Sequence, residues 1–188
     1  MRTKGTSSLQ RRASVISWRK VRRVMNEAFT VRPATIADYD QMCALLAEVD
    51  ELHRVNLPWM FQKPAAEPRP SDFFERLLEN DDSELLVADA GHGLVGVAMA
   101  LLRQSPDFAL FVTQSWCVLD NIAVAQAFRR RGVGSALIRA AERWARHRGA
   151  NWIELGVYEF NEAARAFYQA LGYGPVSTKL RKPLNVDP

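Results

Sequence analysis

The stretch Leu119 to Leu137, Leu-Asp-Asn-Ile-Ala-Val-Ala-Gln-Ala-Phe-Arg-Arg-Arg-Gly-Val-Gly-Ser-Ala-Leu, most constrains the fold of this chain. Ile122, Ala123 and Val124 end an apolar run of the kind that forms a buried strand. Gly132 and Gly134 then keep the backbone clear of Cβ atoms where something must come close. From Ser135 the spacing turns helical. A helix start carries unpaired N–H groups and a partial positive charge, so it attracts anions. Arg129, Arg130 and Arg131 add full charges beside it. A strand, a basic glycine turn and a helix in this order make a cradle for a phosphate-bearing ligand.

Two common phosphate cradles are excluded. A P-loop needs Gly-Lys-Ser/Thr after four spacers, and none is present. A dinucleotide fingerprint starting at Gly132 would need Gly or Ala where Leu137 stands. What remains is Arg129-x-x-Gly132-x-Gly134.

The rest of the chain reads as alternating strands and helices. Phe29–Arg32 is a short strand closed by Pro33, and Thr35 with Asp38 has the spacing of a capping box. Tyr39, Met42, Leu46 and Val49 make the inner stripe of a helix. The segment from His53 to Pro70 has four prolines and is loop or broken helix, and Ser71 caps a second helix with Phe73, Phe74, Leu77 and Leu78 inside. Strands follow at Glu84–Ala90 and Leu94–Leu102 around the turn Gly91-His92-Gly93, then a loop from Arg103 to Gln114, then the strand Trp116–Val124. After the glycine turn, Val133, Leu137, Ala141 and Trp144 line a helix that Gly149 ends. Trp152–Val157 is a strand, Asn161 starts a helix that Gly172 ends, and Val176–Leu180 alternates as a last strand. The expected order is β-α-α-β-β-β-α-β-α-β.

Composition sets the class. With 188 residues, 48% hydrophobic and 24% charged, this is one globular α/β domain with a sizeable core. The net charge of +4 is unevenly placed: residues 1–24 hold eight basic and no acidic side chains, leaving 17 basic against 21 acidic in the remainder. Residues 1–27 thus form a basic extension and residues 28–188 the domain. The extension reads as a disordered arm, a start placed before Met25, an organelle transit peptide or a nucleic-acid-binding arm. The acidic domain argues against nucleic acid as the main partner. No run reaches the roughly 20 apolar residues of a membrane span. Cys43 and Cys117 sit in apolar surroundings and fit a reducing, cytoplasmic compartment. His53, His92 and His147 have no ligand spacing, so no metal is expected.

A second motif, Asn161-Glu-Ala-Ala-Arg-Ala-Phe-Tyr-Gln-Ala-Leu-Gly-Tyr173, lies one strand and one helix after the first. Together the two resemble the signatures of the GNAT (GCN5-related N-acetyltransferase) superfamily: Gln/Arg-x-x-Gly-x-Gly/Ala, then Asn-x-x-Ala-x-x-x-Tyr-x-x-x-Gly-Phe/Tyr. The element order matches that family from about Phe29 onward. The resemblance implies a central mixed, mostly antiparallel sheet of six to seven strands with about four helices. It also implies acetyl-CoA as acyl donor, lying between the strands that end at Val124 and near Val157. Backbone groups of Ile122, Ala123 and Val124 would pair with the pantetheine arm. The amides of Arg129, Arg130, Arg131, Gly132, Val133, Gly134 and Ser135 would hold the diphosphate. Asn161 and Tyr168, two helical turns apart on one face, would flank the same ligand.

The implied reaction is direct transfer of an acetyl group to an amine of a small molecule or a peptide. Tyr168 occupies the family position of the general acid; its reference pKa of about 10 lies above a thiol's 8.5 or so. As a core aromatic it would do nothing chemical. Asp120 is the first candidate base and Glu84 and Glu154 weaker ones; a solvated or salt-bridged strand residue is the bland alternative. Cys117 reads as inert packing rather than an acyl carrier. His53, Trp59, Phe61, Phe108 and Phe111 fall in segments where the family builds its acceptor pocket, or else pack the core. A non-catalytic acyl-CoA sensor is the alternative to an enzyme. Dimerisation, common in the family, stays open.

Overall fold

The computed structural model describes residues 29–184, so the basic extension lies outside the described residues. Five strands are formed: β1 (Thr30–Pro33), β2 (Ser83–Asp89), β3 (Leu94–Gln104), β4 (Ser115–Val124) and β5 (Ile153–Leu155). The helices are α1 (Tyr39–Asn56), α2 (Ser71–Glu79), α3 (Val133–His147) and α4 (Glu162–Ala170). The strands lie in the order β1-β2-β3-β4-β5. The first three pairings are antiparallel and β4 with β5 is parallel, so the sheet is mixed as expected.

Two expectations are corrected. The described sheet has five strands rather than six or seven, because Val176–Leu180 does not join it. Residues 173–183 carry no regular structure, and Val176 and Leu180 stand 92% and 89% exposed. Alternation makes a strand only where a neighbour offers a ladder, and Pro175 removes a donor at its start. The Trp152–Val157 strand shortens to three residues, since its pairing with β4 ends at Leu119 opposite Leu155.

Alternation along the strands splits the core in two. Leu86, Ala88, Ala98, Ala100, Cys117 and Leu119 meet Val133, Leu137, Ile138 and Ala141 of α3 on one face. Leu85, Val87, Val97, Met99 and Ala123 meet Met42, Leu45, Leu46 and Phe74 of α1 and α2 on the other. Small residues let α3 lie close to the sheet. At Gly96 an added Cβ would fall 2.9 Å from Val133 Cγ1, 3.0 Å from Leu137 Cδ1 and 3.1 Å from the Ala123 carbonyl.

The capping box of Thr35 and Asp38 is present, with the Thr35 N–H donating to Asp38 Oδ2 at 2.8 Å. Arg32 grips the same carboxylate with two N–H groups at 2.8 and 2.9 Å and also donates to Asp89. This network fastens the start of α1 to the edge of the sheet.

Candidate active site

The site begins at an irregularity in β4. Met99 pairs with Asn121 and Ala100 with Leu119, so Asp120 is an extra residue. The bulge re-phases the strand. Leu119 faces α3, and after the bulge so do Ile122 and Val124, while Ala123 turns to α1. Without it, Ala123 would share the face of Leu119. Asp120 itself is exposed, and its Oδ2 accepts a hydrogen bond from Asn121 Nδ2 at 2.6 Å.

The bulge also marks where the sheet opens. β4 and β5 pair only from Cys117 to Leu119, yet β4 runs on to Val124. Its edge from Asp120 to Val124 therefore faces a gap. A chain-like ligand with amide groups can pair there as an added strand would.

The basic turn lies at the end of that edge. Arg130 and Gly132 have φ of 62° and 86°, so the backbone winds left-handedly into α3. Glycine suits this conformation; at Arg130 it carries strain. Helix α3 begins at Val133, two residues before Ser135, and its first bond into the turn is Ala136 N–H to the Gly132 carbonyl at 3.0 Å. Among the described residues, the amides of Arg130 through Ser135 have no backbone acceptor. The space over Gly132 is open: nothing lies within 4 Å of a Cβ built there. Gly134 differs, because its built Cβ would meet Phe167 Cζ at 3.2 Å. What comes close at Gly134 is thus α4.

The arginines divide. Arg129 turns back, donating from Nε to the Val124 carbonyl at 3.0 Å and pairing with Glu48 of α1 at 2.8 Å. It buttresses the strand end. Arg131 lies over the Phe128 ring, 5.2 Å from its centroid.

Helix α4 closes the α3 side of the gap. Asn161 caps it, accepting from the Ala164 N–H at 3.1 Å. Tyr168 packs in the cluster that holds Leu119, Ile153 and Leu155, and is only 9% exposed. Burial raises its pKa above the usual phenol value. Its neighbour Tyr173, 5.9 Å away between ring centroids, donates to Glu142 at 3.3 Å.

On the opposite face α1 straddles the gap. Its Glu48 reaches the β4 side through Arg129, and its His53 reaches the β5 side. His53 stacks on Phe61 at 5.2 Å and meets the edges of Tyr158 and Phe160, which follow β5. Burial lowers the His53 pKa and so favours the neutral ring. Of the expected pocket residues, His53 and Phe61 come together here. Trp59 lies under the Arg181 guanidinium at 3.6 Å, and Phe108 and Phe111 sit exposed in the β3–β4 loop, 6.4 Å apart.

The other acidic residues fare unequally. Glu154 accepts from the indole N–H of Trp116 at 2.9 Å. Glu84 is half-buried on β2, and burial raises its pKa. Cys117 is fully buried and its pKa is pushed up to about 11, which fits inert packing. Among the described residues, no cluster of His, Cys, Asp and Glu could hold a metal, and no helix is long and apolar enough to cross a membrane.

Sequence reasoning missed Gly96, Glu48, Tyr158 and Phe160. Only the glycine inside an apolar strand was a readable signal. The others act through contacts across 81 to 107 positions of chain.

Known acetyltransferases resemble this chain in sequence and in fold. The chain is 39% identical over 59 residues to an uncharacterized N-acetyltransferase, YobR, of Bacillus subtilis, covering 31% of this chain and 24% of that protein. It is 28% identical over 101 residues to YhfO of the same organism, covering 54% and 65%. It is 31% identical over 100 residues to aminoglycoside N(6')-acetyltransferase type 1 of Salmonella typhimurium, covering 53% and 68%. The matches thus span between a quarter and two thirds of these relatives. A tetramutant of the BH1408 protein of Bacillus halodurans superposes with a TM-score of 0.78 at 24% identity, covering 82% of this chain and 99% of that one. Aminoglycoside N-acetyltransferase AAC(6')-Iy in complex with CoA superposes with a TM-score of 0.62 at 19% identity, covering 84% and 100%. These two likenesses bear on the fold. The model of the Acetyltransferase (GNAT) family matches residues 46–173, and the chain belongs to that family of acetyltransferases.

Proposed function

We propose that this acetyltransferase takes its acetyl group from acetyl-CoA and passes it directly to the amine of a small molecule. The observation that carries this reading is the gap beyond Leu119, ending at a run of unbonded amides with open space above Gly132. The residues present fit the donor. Of Ile122, Ala123 and Val124, the first and last turn their backbone groups to the free edge and offer them to the pantetheine amides, while Ala123 pairs with β3 and Arg129 already holds one lone pair of the Val124 carbonyl. The amides from Arg130 to Ser135 offer donors to the diphosphate, helped by the positive end of α3. Bound acetyl-CoA supplies an activated thioester. The aminoglycoside acetyltransferases among the relatives support a small-molecule amine as acceptor.

Tyr168 flanks the β4–β5 boundary from the α4 side, and its raised pKa keeps it a phenol at neutral pH. That is the state in which it can give a proton to a departing thiolate. Asp120 stands at the mouth of the gap with its carboxylate in solvent, so it can accept the amine's proton directly or through water. Asn161 contributes by capping α4 and so holding Tyr168 in place.

Calorimetry of the full chain with CoA should give a single site. Tyr168→Phe should lower kcat on the order of 100-fold while leaving CoA affinity within a few-fold. Absence of CoA binding would remove the proposal. Unchanged turnover in Tyr168→Phe would remove the acid.

A further inference from the structure

We propose that Trp116, Trp152 and Glu154 form a subsite for a second cationic nitrogen of the acceptor. This deepens the acetyltransferase reading and rests on it. Cys117, Ile153 and Leu155 point into the α3 core, so Trp116, Trp152 and Glu154 lie on the other face, where α1 and α2 pack. Neither indole joins the core that α1 and α2 form.

The three side chains are mutually ordered. The indoles stack with centroids 5.5 Å apart and planes within 7°. Both indole N–H groups donate to one carboxylate, Trp116 to Oε1 at 2.9 Å and Trp152 to Oε2 at 3.5 Å. An indole N–H is only a donor, so the pair fixes the carboxylate while leaving lone pairs on both oxygens. Trp152 is 41% exposed, so the aromatic face is reachable from solvent. A fixed carboxylate beside an exposed indole face suits an ammonium carried on an apolar body. Arg103 pairs with Trp116 across the sheet, but its guanidinium turns to the Leu102 carbonyl at 3.0 Å.

Register sets the reach. Glu154 lies opposite Val118, and the gap opens two residues further along β4 at Asp120. At about 3.3 Å per residue that is about 7 Å. An acceptor whose reacting amine sits at the gap and whose second ammonium sits at Glu154 has its nitrogens that far apart. The fitting class is a compact diamine or polyamine, with a spacer of about five carbons.

Two measurements test this. In donor-free solution, 1,5-diaminopentane should change the fluorescence of Trp116 and Trp152, matched pentylamine should not, and Glu154→Gln should abolish the change. With acetyl-CoA, kcat/KM should favour the diamine over pentylamine by about tenfold or more, and Glu154→Gln should erase that preference through KM while CoA affinity holds. A diamine preference that survives Glu154→Gln, no preference in the parent protein, or fluorescence blind to the diamine would each overturn the subsite. Failure of CoA binding would instead strike the acetyltransferase proposal, and the donor-free titration would still decide the subsite.

Discussion

Gly96 links the packing of the sheet to the position of the helix end that faces the gap, so Gly96→Ala is the most informative single change. Its new Cβ would lie 2.9 to 3.1 Å from three atoms, one of them the Ala123 carbonyl in the paired strand. An ordinary contact is near 3.5 Å, so something must give by about half an ångström. Val133 and Leu137 are fully buried and cannot swing away, and the carbonyl is part of the β3–β4 ladder. The remaining freedom is for α3 to lift off the sheet. Overpacking of this kind costs about 1 to 3 kcal/mol, partly offset by about 0.5 kcal/mol from a less flexible unfolded chain. A net loss of about 0.5 to 2.5 kcal/mol lowers the melting temperature of a domain this size by roughly 1 to 10 °C. Val133 is the first residue of α3, so the lift also moves the amides proposed to hold the diphosphate. CoA affinity should fall about three- to tenfold, read by calorimetry beside the thermal scan. A Gly96→Ala protein that melts at or above the parent temperature and binds CoA unchanged would refute the idea that close approach of α3 needs this glycine.

Gly132→Ala should behave differently. No atom lies near its Cβ, so the cost is backbone strain at φ 86°, about 1 kcal/mol, while CoA binding weakens because the methyl fills the open space. Intact binding in the melted-down variant would separate the two effects and argue against the loop. The Arg32 guanidinium beside Asp38 holds that carboxyl down at about 2 from its ordinary 3.8. A depressed carboxylate stabilises the fold above the unfolded pKa and ceases to do so as pH falls through the folded one. About 2 kcal/mol should therefore be lost between roughly pH 4 and 2, and Asp38→Asn should flatten that part of a pH-stability curve. In the native protein a disulfide-exchange reagent should modify Cys43 slowly and leave Cys117 unlabelled until unfolding, because Cys117 is buried with a thiol pKa near 11. Prompt labelling of both would contradict the closed core under α3.

Local order determined most of what the residues themselves reveal. The apolar run into Val124, the two glycines and the stripe of α3 place strand, turn and helix without reference to the rest, because each signal lies within one or two turns of chain. The same holds for the capping box at Thr35 and for Asn161 at the start of α4, where side chain and backbone are three residues apart. The pattern Val176–Leu180 shows the limit: alternation describes a strand's faces and says nothing of a neighbour to pair with.

Tertiary structure alone decided the chemistry of the surroundings. The bulge at Asp120 exists only in the register between β3 and β4, and it decides which side chains face α3. The gap depends on how far β4 outruns its pairing with β5. Arg129, which sequence offered to a phosphate, is held by Val124 and by Glu48, 81 residues away. Glu154 is half-buried and ordered only because two tryptophans, 36 residues apart in sequence, close on it from neighbouring segments. Such contacts are set by packing between distant segments. A linear pattern carries no distance between them, so only the folded chain can show what each charge touches.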